Sequence, residues 1–249
     1  MSALPVTAGR IRAEHYLRTD TGTVRTRNED NLLAMPEYGL WAVCDGMGGH
    51  DAGDYASTYI VEALQARSLP VLHGRRVRAI QSILAECNRH LVDYAQQNHF
   101  SHVGSTAVLL SLFSRRAAVI WVGDSRAYLL RGPTLRMISR DHNVAEQLLD
   151  DPENFRPGES SSAITRAIGG EPTLVSDLAC VETLQGDCWL LCSDGVSGVL
   201  DETEIAGVME QADDPASELV ERALAAGSRD NCTAVVVRIE SDVEKFTAF

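Results

Sequence analysis

A chain of 249 residues with 45% hydrophobic and 23% charged residues can bury one large core and is ordinary in composition for a globular domain. Its 22 basic residues stand against 35 acidic ones, a formal net charge of −13, which disfavours nucleic acid or an anionic membrane as partner because both need a basic face. No run approaches the ~20 apolar residues that span a bilayer, and residues 1–20 hold no apolar core of signal-peptide length.

The 6 cysteines form no CxxC pair and several lie in apolar runs, so reduced, buried thiols and a soluble, cytoplasmic protein are expected.

Taken in chain order, strands are predicted at 14–19 and 31–35, followed by the apolar run from Leu40 to Cys44. Two helices come next. Between 51 and 67 the residues Ala52, Ala56, Tyr59, Ile60, Ala63 and Leu64 follow helical spacing, as do Val77, Ile80, Leu84, Cys87 and Leu91 between 75 and 97. These stripes read as core faces. Strands are predicted at 105–114, 117–122, 126–131 and 135–138, joined by turns at Arg115-Arg116 and Gly132-Pro133. A short helix at 144–149 leads into the polar, proline-containing stretch 150–158, which reads as an exposed loop. Strands return at 173–181 and 188–192. Helices at 202–211 and 215–226 precede a last strand at 232–239, and Asp214-Pro215 has the form of an N-cap followed by a first-position proline. Strict βαβ alternation is absent. The order predicts an α+β fold in which helix pairs cover antiparallel sheets, as one domain over 10–240 with a tail at 241–249.

Three apolar runs end in an aspartate beside a turn-forming residue: Asp45-Gly46, Asp124-Ser125 and Asp194-Gly195. A fourth run starts directly after Asp230-Asn231. One Asp-Gly after a strand is usually a hairpin turn. Yet the segment after Asp45 is too long and glycine-rich for a two-residue hairpin, and Asp194-Gly195 leads into no returning strand. In antiparallel sheets all four aspartates can collect at one edge, where Glu29-Asp30 can join them. Carboxylates packed together repel unless protonated or neutralised by cations. With few Lys or Arg nearby, divalent metal is the economical neutraliser.

Six motifs occur in order: RTRNEDN (25–31), DGMGGH (45–50), GST (104–106), VGDSR (122–126), SDG (193–195) and RDNCT (229–233). Together, and over about residues 19–237, they closely resemble the bacterial form of the type 2C, or PPM, metal-dependent protein phosphatases. The resemblance implies a β-sandwich of two antiparallel sheets flanked by helix pairs, an αββα arrangement with a metal site at one end. It implies that Asp45 bridges two ions, that Glu29 and the Gly46 carbonyl serve one, and that Asp194 and Asp230 serve the other. Asp124, with Asp194, matches the place of a third, weaker ion. All-oxygen ligation suits Mn²⁺ or Mg²⁺ and disfavours zinc. Arg25 matches the arginine that grips the substrate phosphate, and Asp30 matches a group that orients water at the ions or Arg25 itself.

The implied reaction is hydrolysis of phosphoserine and phosphothreonine by a hydroxide held between two ions, without a covalent phospho-enzyme. The implied partners are phosphorylated proteins, a cognate bacterial Ser/Thr kinase and its substrates, met by a monomer. The wording around Gly39 to Val43 looks like phosphatases linked to type VI secretion control. Met47 stands where many eukaryotic members carry a histidine proposed as general acid, so that role does not carry over. The short 152–157 loop makes substrate selection by the flap the least transferable feature. A non-catalytic phosphoprotein-binding relative would lack one or more metal carboxylates, and none is missing. A phosphatase for an anti-sigma-factor antagonist would share the chemistry but often carries a sensor domain. Cysteine-based phosphotyrosine chemistry is disfavoured, because no cysteine precedes a glycine-rich, arginine-closed loop.

Overall fold

Alternation along the apolar strands sorts side chains between three cores. The structure, a computed structural model, describes residues 12–48, 52–150 and 160–241. In chain order they form β1 (Arg12–Asp20), β2 (Asp30–Met35), β3 (Leu40–Gly48), α1 (Ala52–Gln65) and α2 (His73–Gln97). Then come β4 (Val103–Ser105), β5 (Ala107–Phe113), β6 (Arg116–Val122), β7 (Arg126–Arg131), β8 (Thr134–Met137) and α3 (Val144–Asp150). The chain continues through β9 (Asp177–Glu182), β10 (Cys188–Cys192), α4 (Asp194–Ser197), α5 (Glu202–Gln211), α6 (Pro215–Ala225) and β11 (Cys232–Ser241).

One sheet has the order β1-β11-β10-β7-β8 and the other β2-β3-β5-β6-β9, with β4 added to the far end of β3. Every pairing is antiparallel. In β3, Trp41 and Val43 face the second sheet, where they meet Trp189, Leu191, Val235 and Val237. Leu40, Ala42 and Cys44 face the other way, under α1 and α2. Leu190, Cys192, Ala234 and Val236 likewise point outward, beneath α5 and α6. Two helix pairs therefore cover two sheets, and the αββα sandwich inferred from the motifs is the observed fold. Helix starts follow their side chains: Asp201 and Glu204 close a capping box on α5, and Asp214 caps α6 ahead of Pro215.

Local differences have local causes. The strand predicted at 105–114 is split into β4 and β5 at Thr106, whose N–H donates to the Asp45 carbonyl and whose hydroxyl accepts the Asp45 N–H. The strand predicted at 173–181 starts only at Asp177. Asp194-Gly195 opens the one-turn helix α4, which the sequence reading did not include. Ser241, assigned to the tail, ends β11. Residues 10 and 11, Gly49 to Asp51, the 152–157 loop and the tail from 242 onward lie outside the described residues.

Among the described residues no helix is long and apolar enough to cross a membrane. All 6 cysteines are unpaired, and Cys180 alone among them is exposed.

Candidate active site

The inter-sheet core changes character at one end. In β3 the alternation that turns Trp41 and Val43 inward also turns Asp45 inward, at the strand's upper end. Asp30, the first residue of β2, is its cross-strand partner. Side chains so paired share a face at roughly 5 Å. On the second sheet β10 ends and β11 begins at this same end, because Cys192 pairs with Ala234. Asp194 and Asp230 flank those strand ends, and Asp124 follows β6 two residues beyond Val122. The antiparallel registers thus bring together the aspartates that the sequence could only place at strand ends.

Glu29 reaches the cluster over the first turn of α1. A Cβ on Gly53 would meet its carboxylate at 2.7 Å, and one on Gly46 would meet the Gly53 carbonyl oxygen at 2.1 Å. Neither position has room for a side chain. The Gly46 N–H donates to the Glu29 carbonyl at 3.0 Å, fixing the two motifs to each other.

Burial comes first in the electrostatics of nearly every acid here. It pushes Asp30 up to about 7, assisted by the charges of Asp194 and Asp230 and opposed by hydroxyl donors. It pushes Asp124 up to about 7 as well, with Asp194 and Asp141 adding to it. Asp45 is driven well above the usual carboxylate range by burial and then by Asp30, Asp194, Asp124 and Asp230. Burial raises Glu29, with Arg25 pulling it back, and raises Asp194, whose side chain touches Asp45.

Support from below is polar and long-range. Asp30 Oδ2 accepts from Ser193 Oγ and from Thr233 Oγ1, each at 2.7 Å. Asn231 Oδ1 accepts the Glu29 N–H at 2.9 Å, and its amide donates to the carbonyls of Thr21 at 2.8 Å and Arg27 at 2.9 Å. It ties the loop carrying Arg25 and Glu29 to the start of β11. Beside Asp124, Arg126 grips Asp141 through Nε and Nη2, and the next residue clamps Gly123: the His142 N–H donates to the Gly123 carbonyl, and His142 Nδ1 accepts the Gly123 N–H. Asn231, Ser193, Thr233 and Arg126 stand inside the motifs, where the sequence alone assigns them no role. Their only sequence signal is a polar residue within three positions of a candidate carboxylate.

Arg25 lies at the exposed rim, its Nη2 2.7 Å from Asp230 Oδ2. The alternative in which Asp30 orients Arg25 is therefore corrected: Asp230 holds Arg25, while Asp30 is buried against hydroxyls on the other sheet.

The residues present fit a hard divalent cation. Asp30 Oδ1 and Asp124 Oδ1 are buried oxygens with no hydrogen-bond partner among the described residues. Acceptors of that kind cost free energy unless a cation or proton meets them. The donors are oxygens throughout, which suits Mg²⁺ or Mn²⁺ rather than zinc. Among the described residues no three acidic, His or Cys side chains already close on one point. Arg25 occupies Asp230 and Asp194 leans on Asp45, and ions of this class keep several of their own waters, which lengthens the reach of each carboxylate.

An αββα sandwich with a carboxylate cluster at one end of its strands defines a class of protein built around divalent cations. The chain belongs to the protein phosphatase 2C family, whose profile matches residues 15–148. It is 33% identical over 232 residues to the serine/threonine protein phosphatase PstP of Mycobacterium tuberculosis, a match covering 89% of this chain and 44% of that one. The chain thus spans less than half the length of that relative. Among solved structures, PppA, described as a key regulatory component of T6SS in Pseudomonas aeruginosa, superposes with a TM-score of 0.86 at 38% identity, covering 92% of this chain and 98% of that one. The catalytic domain of PstP, solved in complex with 2 manganese ions, superposes with a TM-score of 0.79 at 29% identity, covering 92% and 99% of the two chains.

Proposed function

We propose that this chain is a Mn²⁺- or Mg²⁺-dependent protein phosphatase that hydrolyses phosphoserine and phosphothreonine. The observation that carries the reading is the convergence of Glu29, Asp30, Asp45, Asp124, Asp194 and Asp230 on one end of the sandwich, beside Arg25. The two manganese ions of the PstP catalytic domain support it. In this reading Asp45, Glu29 and the Gly46 carbonyl would hold one ion, and Asp45, Asp194 and Asp230 would hold another. Asp124 with Asp194 would serve a third. Bound ions of this kind lower the pKa of water and neutralise charge on phosphoryl oxygens.

The chain's own residues do the positioning. Arg25 presents a planar fork that pairs with two phosphate oxygens once it leaves Asp230. The exposed Arg25–Asp230 pair is worth little, at most about 1 kcal/mol, so exchanging it for a phosphate is easy. Asp30 is held by Ser193 and Thr233 through one oxygen, which leaves its other oxygen unpaired among the described residues and available to accept from water. Asn231 keeps the Arg25 loop and Glu29 in fixed relation to Asp230.

The proposed partners are phosphoproteins and a bacterial Ser/Thr kinase that the enzyme opposes. Likeness to PppA supports a place in T6SS control. The proposed compartment is the cytoplasm, with which 6 unpaired cysteines agree.

Hydrolysis of a phosphothreonine peptide with Mn²⁺ or with EDTA, alongside Asp194→Asn, tests the proposal. Turnover that needs Mn²⁺ and is lost in the variant supports it. Metal binding without turnover would sink it in favour of a phosphoprotein-binding role.

A further inference from the structure

A cleft of about 390 Å³ opens beside Arg25, sharing Asp194 and Asp230 with the carboxylate cluster. Its other walls include Val24, Val199, Ser228 and Arg229, contributed by three separate segments. Val24 is 54% exposed and Val199 38%, apolar surface that the fold leaves to solvent next to its most polar site. Arg229 is exposed and forms no ion pair among the described residues. It stands there although the chain as a whole carries a formal charge of −13.

These walls are held firmly. Ser228, next to Arg229, is buried; its N–H donates to the Ala223 carbonyl at the end of α6, and its hydroxyl accepts from Cys232 Sγ at 3.3 Å. Val199 lies two residues beyond α4, after Gly198, whose N–H donates to the Asp194 carbonyl at 2.7 Å. Val24 adjoins Arg25 in the loop that Asn231 anchors. A preformed wall loses little conformational entropy when a ligand lies against it.

We propose that this cleft is a specificity subsite for the peptide segment next to the phosphorylated residue, taking an apolar side chain against Val24 and Val199 and an acidic side chain at Arg229. The inference rests on the phosphatase reading. A phosphate paired with Arg25 leaves the adjoining peptide at the mouth of the cleft, because Arg25 lines both. Charge complementarity then selects the occupant: Arg229 attracts a carboxylate and repels Lys or Arg. Apolar walls favour Val or Leu over Ser at the neighbouring position.

The test compares phosphothreonine peptides that differ only in their flanks, Glu against Lys and Val against Ser, placed in turn on each side of the phosphothreonine. The wild type, Arg229→Glu and Val199→Ser are each assayed with Mn²⁺. The readout is the ratio of kcat/KM between paired peptides within one variant, which cancels differences in the active fraction. The wild type is expected to prefer Glu over Lys about tenfold at one flank, carried by KM. Arg229→Glu should invert that ratio, and Val199→Ser should flatten the Val/Ser ratio alone. A wild type that turns over all peptides equally, or an Arg229→Glu ratio equal to that of the wild type, overturns the subsite and leaves the phosphatase reading standing. A wild type that turns over none overturns the phosphatase reading and the subsite with it.

Discussion

Asp30 and Asp45 stand directly opposite each other across the antiparallel ladder of β2 and β3, on the face that meets the second sheet. Two carboxylates in that relation cannot both ionise cheaply away from water; burial pushes both upward, with Asp30 adding to the rise of Asp45 and with Asp194 and Asp230 adding to that of Asp30. The pair is a strained element unless cations or protons balance it.

Asp30→Asn is therefore expected to stabilise the metal-free protein at pH 8. A carboxyl whose folded pKa is raised contributes stability below its unfolded value and loses it as pH climbs through about 7, so at pH 8 the wild-type charge is a cost. In EDTA the variant should melt a few degrees higher, about 1 kcal/mol, while the rise in Tm produced by Mn²⁺ shrinks. Thermal melts with EDTA and with Mn²⁺ check both halves, and a lower Tm in EDTA would count against the repulsion argument.

Asp194→Asn removes a charge from the middle of the cluster, where the carboxyl touches Asp45 and is raised by burial and by Asp230. Turnover should fall by about 100-fold or more and Mn²⁺ affinity should weaken. Steady-state kinetics over a Mn²⁺ titration measure both; an unchanged metal dependence would remove Asp194 from the ligand set.

Arg25→Ala should raise KM by about 10- to 100-fold, the value of a charge-assisted hydrogen bond, and leave Mn²⁺ binding intact. The rim position and the solvent-exposed pairing with Asp230 imply almost no effect on folding. Loss of metal binding in this variant, read by calorimetry, would refute the phosphate-gripping role.

Asn231→Ala breaks the bonds to Glu29, Thr21 and Arg27 in one step. At roughly 1 kcal/mol each, stability should drop by about 2–4 kcal/mol, and KM should rise with it as the Arg25 loop loosens. Urea unfolding with parallel kinetics separates the effects; a stability loss with unchanged KM would mean that the loop holds its place without Asn231.

The pH dependence of folding should carry a contribution from His73, far from the acids. Burial lowers its pKa, Arg76 and Arg116 add to the effect, and both ring nitrogens lack hydrogen-bond partners among the described residues. A histidine that resists protonation in the fold loses stability as pH falls below about 6.5, its unfolded value. The His73→Phe variant, whose ring can still pack on Phe113, should flatten the fall in Tm between pH 7 and 5. An identical pH profile in both proteins would exclude the contribution.

Local pattern in the chain determined the layers and the ends of the strands. Helical spacing marked both helix pairs, the lack of βαβ alternation pointed to antiparallel sheets, and an aspartate closing an apolar run had to lie where a strand leaves the core. The candidate carboxylates were legible for that reason. Thr106 was not, since a strand break made by one hydroxyl facing Asp45 leaves no periodicity behind. The tertiary structure alone decided the cross-strand register of Asp30 with Asp45 and the partner of Arg25. It alone assigned the supporting roles of Ser193 and Asn231. Those contacts join residues 163, 205 and 202 positions apart, as in Ser193–Asp30, Arg25–Asp230 and Asn231–Glu29. Periodicity reports which face a residue occupies, whereas the partner it meets there depends on how two sheets stack.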